Sequence, residues 1–383
     1  MKRDKNAPNV PTLRFAEYTD EWHKHALSDF VTRIKRRNKS NESSLPLTIS
    51  AQYGLVDQIT FFNKTVASVD LSGYYLLYNG DFAYNKSYSN DYAWGAVKRL
   101  DKYEKGCLSS LYFVFRPTDK VDSDYLTHYF ETSKWHKGIS DIAGEGARNH
   151  GLLNMAVDDY FATKHYLPSL SEQKKIACFL NLITKRIEIQ NKIIEDLKVL
   201  KKELNSFLIS RLTNGKEPNC KIKDVIDYEQ PTSYIVNSDK YIVDGETPVL
   251  TANKAFFLGY TNEKDGIYDK SDCIIFDDFT LDFKYVDFPF KVKSSAIKIL
   301  KAKRFIELRY FYEYLLFLNL TTNEHKRHYI SEIATLPLYL PSIKEQERVL
   351  NVLNAISSKI TVEEKYKTAL QAQKKHLLNA MFI

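Results

Sequence analysis

Asp277 and Asp278, adjacent in CIIFDDFT, have the chemistry to share a divalent cation, but a lone acid pair closing an apolar run reads instead as two solvated acids at a strand end. The thirteen glycines include no GxGxxG and no GxxxxGK[ST], so neither a dinucleotide fingerprint nor a phosphate loop is present. AGEGARNHG at 143–151 lacks the Lys-Ser/Thr that engages phosphate and magnesium, and reads as a flexible loop ahead of a strand. No Asp/Asn-Pro-Pro-aromatic tetrapeptide occurs, so the usual loop for amino-methyl transfer to a base is missing. The nine histidines form no HExxH, and His23 and His25 have no partner at metal spacing. Cys107, Cys178, Cys220 and Cys273 are scattered without a CxxC pair, which fits a reducing compartment and neither a zinc site nor a disulfide framework. No constellation marks a serine or cysteine nucleophile. The chemistry that remains is recognition.

The net charge of +7 favours a polyanionic partner. It is concentrated: 167–211 carries 9 basic and 5 acidic side chains and 341–383 carries 7 and 4, which accounts for the whole excess. Elsewhere a nucleic-acid surface has to come from local clusters. VTRIKRRNKS holds Arg33, Lys35, Arg36, Arg37 and Lys39 with no acid among them, and KVKSSAIKILKAKR, from Lys291 to Arg304, holds six basic residues and again no acid. A solvated helix or strand face is the plain alternative for each run.

What must position such groups is written twice. LPSLSEQKKIACFLNLITKRIEIQNKIIEDLKVLKKEL starts at Leu167, and LPSIKEQERVLNVLNAISSKITVEEKYKTALQAQKKHL starts at Leu340. The two align without a gap, including Pro-Ser-x-x-Glu-Gln. The first has Ser169 and Glu172 in capping-box spacing and stops at TNGKEP. Apolar residues recur at every third and fourth place with few interruptions: Ile176, Leu180, Ile183, Ile187, Ile194, Leu197 and Leu204 in one copy, and Val349, Leu353, Ile356, Ile360, Leu370 and Leu377 in the other. Even the polar interruptions recur, at Gln190/Glu363 and Lys201/Lys374. Such a seam predicts a helix packed along its length on another helix, and the natural partner of each copy is the other.

Residues 1–166 and 215–340 differ from the helices in kind. YYLLYNGDFAYNKSY, SSLYFVFRP, SDCIIFDDF and FPFKVKSSAIKIL are rich in aromatic and β-branched residues and predict strands. SDYLTHYFETSKW and IELRYFYEYLLFLN predict a shorter aromatic-rich helix in each region. The expected fold class is α+β: two globular mixed α/β modules separated by two long helices, 167–214 and 341–383. Because the second module links the end of one helix to the start of the other, the expected packing is an antiparallel coiled coil with pseudo-two-fold symmetry. Duplex DNA has two-fold axes of its own, so a two-headed reader with a fixed spacer suits a split site.

The arrangement resembles the specificity subunit of Type I restriction-modification systems. The resemblance is carried by PNVPTLRFAEYTDEW at the N-terminus, NGDFAYNKSYS at 79–89, GARNHGLLNM at 146–155 and the two LPS(L/I)xEQ helix starts, and it extends over essentially the whole chain. It implies that 1–166 and 215–340 are target-recognition domains, each reading one half of a bipartite, asymmetric site on double-stranded DNA. It implies that the long helices fix the unspecified gap and dock two methyltransferase subunits, with restriction subunits completing the complex. S-adenosylmethionine and ATP would belong to those partners, and this chain would hold no cofactor and perform no catalysis.

Direct readout needs polar side chains on loops against base edges, with other cations on phosphates. In the first module Arg33, Lys35, Arg36, Arg37 and Lys39 are the phosphate candidates. Gln52, Tyr53, and Asn85, Lys86 and Ser87 beside Tyr84 are the base-edge candidates, with the loop Arg148, Asn149 and His150 as a further one. In the second module the candidates are Asn253 and Lys254, then Lys291, Lys293, Ser294 and Ser295, and finally Lys326, Arg327 and His328. With no apolar run long enough to span a bilayer and no secretory signal in MKRDKNAPNVPTLRF, the expected location is cytoplasmic and no membrane partner is expected. A reader with a fused nuclease or methyltransferase activity, or a coiled-coil scaffold that does not bind DNA, are the alternative functions.

Overall fold

The computed structural model describes residues 9–50, 53–64, 67–68, 70–87, 92–143, 148–149, 152–253, 255–324 and 326–383, with 148–149 as backbone only. The chain divides into two compact units, Met1–Asn191 with Tyr366–Ile383, and Lys192–Lys365.

In the first unit β1 (His23–Ala26), β2 (Val31–Arg33), β3 (Leu47–Ser50) and β4 (Gly54–Asp57) lead into the short helix α1 (Gln58–Phe62). Strands β5 (Tyr75–Tyr78), β6 (Phe82–Asn85), β7 (Ala96–Arg99), β8 (Lys105–Leu108) and β9 (Phe113–Pro117) follow, then α2 (Ser123–Phe130) and α3 (His136–Ile142). The hairpin β10 (Arg148–Asn149) and β11 (Leu152–Leu153), α4 (Val157–Ala162) and β12 (Lys164–Leu167) complete the module. Its main sheet is antiparallel in the order β2-β9-β6-β7. Strand β1 pairs with β12, His23 opposite Leu167, so the module closes on itself immediately before the long helix α5 (Leu170–Thr213) begins.

The second unit repeats this plan. Strand β13 (Cys220–Lys221) is followed by α6 (Ile222–Val225), β14 (Ile226–Glu229), β15 (Thr247–Leu250), β16 (Phe257–Thr261), β17 (Cys273–Asp277), β18 (Phe283–Val286), β19 (Lys291–Val292) and β20 (Ile297–Ala302). Then come α7 (Leu308–Leu318), β21 (Pro337–Leu338) and the long helix α8 (Ile343–Met381). The main sheet is again antiparallel, β14-β20-β17-β18, the same order by position along the chain. Here β13 pairs with β21 just ahead of α8, as β1 and β12 pair ahead of α5.

Helix α5 has 44 residues and is about 66 Å long. It ends where the backbone needs a left-handed residue, which Gly215 supplies at φ 70°. The long helix starts three residues later than Leu167, because Lys164–Leu167 are held as a strand by β1. Each copy makes a different half of the capping box: in α8 Ser342 N and Oγ both donate to Glu345 Oε2, at 2.9 and 2.7 Å, while Glu345 N donates to Ser342 O. In α5 Ser169 Oγ accepts from Glu172 N at 3.4 Å, but the Glu172 carboxylate turns to Arg14, with contacts of 2.7 and 2.8 Å.

Each seam side chain named above is buried or half-buried, with Ile187, Leu197, Leu204 and Ile356 the half-buried ones. In the first unit Ile176, Leu180 and Ile183 share a core with Leu377, Leu378, Met381 and Phe382, and with Trp22, Tyr125 and Tyr129 of the module. In the second, Ile209 shares a core with Val349, Leu350 and Leu353, and with Phe276, Phe311 and Leu315. Lys198 reaches Glu364 at 2.7 Å. Burial of this kind contributes about 1.5–3 kcal/mol for each large side chain.

Candidate nucleic-acid interface

The basic run of the first module is only partly free. Asp81, fully buried at the start of β6, accepts from Arg36 Nη2 and Arg116 Nε, both at 2.6 Å. Arg36 also donates to Leu76 O at 2.9 Å and lies 4.2 Å from the Tyr78 ring centroid. Arg37 sits 3.9 Å over the Tyr75 ring and donates to Gly73 O. These two arginines tie the run to the sheet, and Arg33 lies 3.9 Å from Asp158. Lys35 and Lys39 are exposed. Asp81 and Arg116 are the pair that sequence reasoning passed over; the signal was an acid in the NGD turn, whose buried setting depends on a distant strand.

Tyr84 is a correction. It is fully buried, stacks on Tyr160 with centroids 4.7 Å apart, and donates to Trp94 O at 2.9 Å. Strand β6 lies between β9 and β7, and its consecutive residues Phe82, Ala83 and Tyr84 are all buried, so both its faces are covered and its tyrosine belongs to the core. The residues that follow it emerge. Asn85 and Lys86 are half-buried, Ser87 is exposed, and Asn85 Oδ1 accepts from Ser87 N at 2.9 Å. The turn is tight: Gly95, at φ 78°, approaches so closely that a Cβ there would lie 2.1 Å from Asn85 O.

The fold brings two sequence-distant candidates together. Ser87 bridges to Leu152 and Leu153 N donates to Lys86 O at 3.0 Å, which places the β10–β11 hairpin, with Arg148 and Asn149 on its first strand, beside Asn85–Ser87. The expected flexible loop is therefore strand at 148–149. Tyr53 is 60% exposed and meets the exposed Phe61 edge-to-face. Gln52, His150 and Lys254 lie outside the described residues.

In the second module Lys291 is a correction. It is 2% exposed, donates to Asp265 O at 2.6 Å and pairs with Glu263 at 2.9 Å, so its charge is neutralised inside the fold. Its neighbours differ. Lys293 and Ser295 are exposed, Ser294 is half-buried with its Oγ accepting from Ala296 N, and Asn253 is exposed with its Oδ1 accepting from Ala255 N.

His328 is the third correction, 2% exposed with its ring on Glu332 and Thr322. Lys326 is held by Glu324 and Glu332, at 2.5 and 2.9 Å. Arg327 is half-exposed, 3.8 Å from Asp278 and 5.5 Å from the Phe279 ring centroid.

The two adjacent aspartates are buried, not solvated. Asp278 Oδ1 accepts from His328 N and Tyr329 N, and its Oδ2 lies 3.5 Å from the buried Lys298 ammonium. Asp277 Oδ1 accepts from Phe279 N and Thr280 N, closing the turn after β17. Both carboxylates are engaged by protein donors, which is a structural role. Among the described residues no group of three or more His, Cys, Asp or Glu is placed to hold a metal, and the four cysteines are free thiols. Burial pushes the Cys273 thiol up to about 12, so it stays protonated near neutrality. No helix among the described residues is long and apolar enough to cross a membrane.

The fold defined by these two modules and two long helices is that of Type I specificity subunits. A solved chain from work on complex assembly and conformational transition of the type I R-M system superposes with a TM-score of 0.56 at 15% identity, over 94% of this chain and 96% of that one. The S subunit of a Type I restriction-modification system from M. genitalium superposes with a TM-score of 0.54 at 16% identity, over 98% and 99%. In sequence, the chain is similar to the specificity subunit of the Type I restriction enzyme EcoR124I/EcoR124II of Escherichia coli, 36% identical over 172 residues. That match covers 40% of this chain and 43% of the relative, less than half the length of either. No family model matches the chain.

Proposed function

We propose that the chain is the DNA sequence-specificity subunit of a Type I restriction-modification complex. The observation that carries this reading is the double repeat: two modules with one sheet order, each closed by a terminal strand pair directly before a long helix of one sequence pattern. A single-site reader has no use for two diverged copies of one module. A reader of two different half-sites does. On this reading residues 1–166 and 215–340 are the target-recognition domains, and the helices pair as an antiparallel coiled coil that relates them by a pseudo-two-fold axis and fixes the gap between half-sites.

The exposed Lys35, Lys39 and Ser87, with the half-buried Lys86 and the adjoining β10–β11 hairpin, form the DNA-facing set of the first module, and the exposed Asn253, Lys293, Ser295 and Arg327 form that of the second. Cations among them contact phosphates and set register, while Ser87 and Asn253 are suited to base edges. Methyltransferase subunits dock on the helices and bring S-adenosylmethionine; restriction subunits bring ATP. The chain itself performs no catalysis, holds no cofactor and works in the cytoplasm.

Mapping methylated bases in cells carrying the methyltransferase partner, with and without this chain, tests the proposal. The expected result is methylation of one split, asymmetric sequence that depends on the chain. Methyl transfer or cleavage by the purified chain alone, or no chain-dependent methylation with an active partner, would overturn it.

A further inference from the structure

Two glutamines occupy the same place in the two copies of the helix start, and both are buried: Gln173 is 1% exposed and Gln346 is 0%. Asp122 N, at the N-cap of α2, donates to Gln173 Oε1 at 2.8 Å, while Gln173 Nε2 donates to Pro168 O at 3.0 Å. Glu307 N, at the N-cap of α7, donates to Gln346 Oε1 at 2.8 Å, while Gln346 Nε2 donates to Pro341 O at 2.9 Å and Phe305 O at 3.0 Å.

The two copies therefore join the first turn of a long helix to the first turn of the module's aromatic helix by one device. The neighbouring glutamates do not share it, since Glu172 takes Arg14 and Glu345 caps its own helix. The amide accepts from one backbone group and donates to another through one side chain; an ionised carboxylate cannot donate and a thioether does neither usefully.

We infer that Gln173 and Gln346 are positioning residues that hold each module at one angle on its own helix, and so keep the gap between half-sites to a single length. The inference rests on the specificity-subunit reading. One base-pair step is 3.4 Å, which corresponds to a tilt of about 13° at the ~15 Å radius of a domain this size. A modest rocking of a module about its helix start is enough to admit the neighbouring gap length, and the latch opposes that rocking without touching a base.

Gln346→Met removes both halves of the latch with little change in volume. Glu307→Pro removes only the N–H that feeds it: φ at Glu307 is −76°, within proline's range, and its side chain makes no cap bond. Gln173→Met tests the first module in the same way. Each variant is expressed with the methyltransferase partner, its melting is recorded, and its methylome is read.

The expected result is unchanged half-site sequences, with sites one base pair longer or shorter in the gap rising to about one tenth of those methylated, the ratio that two net hydrogen bonds support. A single unchanged gap in both Gln346→Met and Glu307→Pro, altered bases in either half-site, or loss of all methylation in both variants would overturn the inference. If the unsubstituted chain directs no split-site methylation, the reading beneath it fails instead.

Discussion

Lys374 of α8 holds its ammonium 2.8 Å from Oε2 of Glu131, the C-cap of α2, and at the equivalent place in the other copy Lys201 of α5 lies 2.8 Å from Oε1 of Glu313 in α7. The lysine interruptions of the two seams are thus ion pairs with the modules. At Glu131 burial opposes the charged form, but bonding to His128 and the charge of Lys374 hold its carboxyl down to about 2. Glu313 is 4% exposed at its side chain and Lys201 23%, and this asymmetry makes a prediction. Lys201→Met strands a buried carboxylate and should cost about 3 kcal/mol, whereas Glu313→Gln leaves an ammonium that water reaches and should cost about 1 kcal/mol. Chemical denaturation of the two variants checks the order.

The seams themselves separate neighbours on one helix. Leu180 is fully buried and Leu182 is 62% exposed. Leu180→Asp should cost about 4 kcal/mol and abolish assembly with methyltransferase subunits, while Leu182→Asp should stay within about 0.5 kcal/mol. Equal melting of the two variants would show that the seam is not buried.

Acid should loosen the first unit well before carboxylates titrate. His165 is 3% exposed between Tyr129 Oη and Thr163 Oγ1, both at 2.8 Å. Thr163 gives its proton to Tyr160 O, so His165 Nε2 carries the hydrogen and Nδ1 accepts from the tyrosine. Burial lowers the imidazole pKa to about 4, so below about 6.5 the unfolded chain takes up this proton first. Stability falls with pH from about 6.5 to about 4, by about 3 kcal/mol in all. In His165→Gln, thermal melting should lose that part of its pH dependence.

The cations divide into two classes that binding and melting should tell apart. Alanine at Lys35, Lys39, Lys86, Lys293 or Arg327 should weaken DNA binding and reduce the salt slope by about 0.9 for each phosphate no longer neutralised, with little change in stability. Alanine at Lys291, whose ammonium is paired within the fold, should lower the melting temperature instead.

What the sequence made legible is what repeats locally. The seam is periodic, so its buried side and the two helices could be read from spacing, and aromatic and β-branched runs marked β5, β6, β9, β17 and β20. The common sheet order of the modules could not be read, because it rests on pairings such as Val31 with Pro117 and Ile226 with Ala302, far apart in diverged sequence. The same cause misplaced individual side chains. Lys291 looked like part of a free basic run because its partner Glu263 lies across the fold, and Tyr84 looked exposed because nothing local says that β6 is covered on both faces.

The central claim is that paired helices set the distance between two independent readers, and an insertion tests it most directly. Four residues added after Lys198 lengthen α5 by about 6 Å, close to two base-pair steps, and rotate the remainder of the helix by about 40°. Neither module is altered. The methylome of this variant should show both half-sites with their original bases and a gap longer by one or two base pairs; altered half-site bases with the original gap would contradict the account.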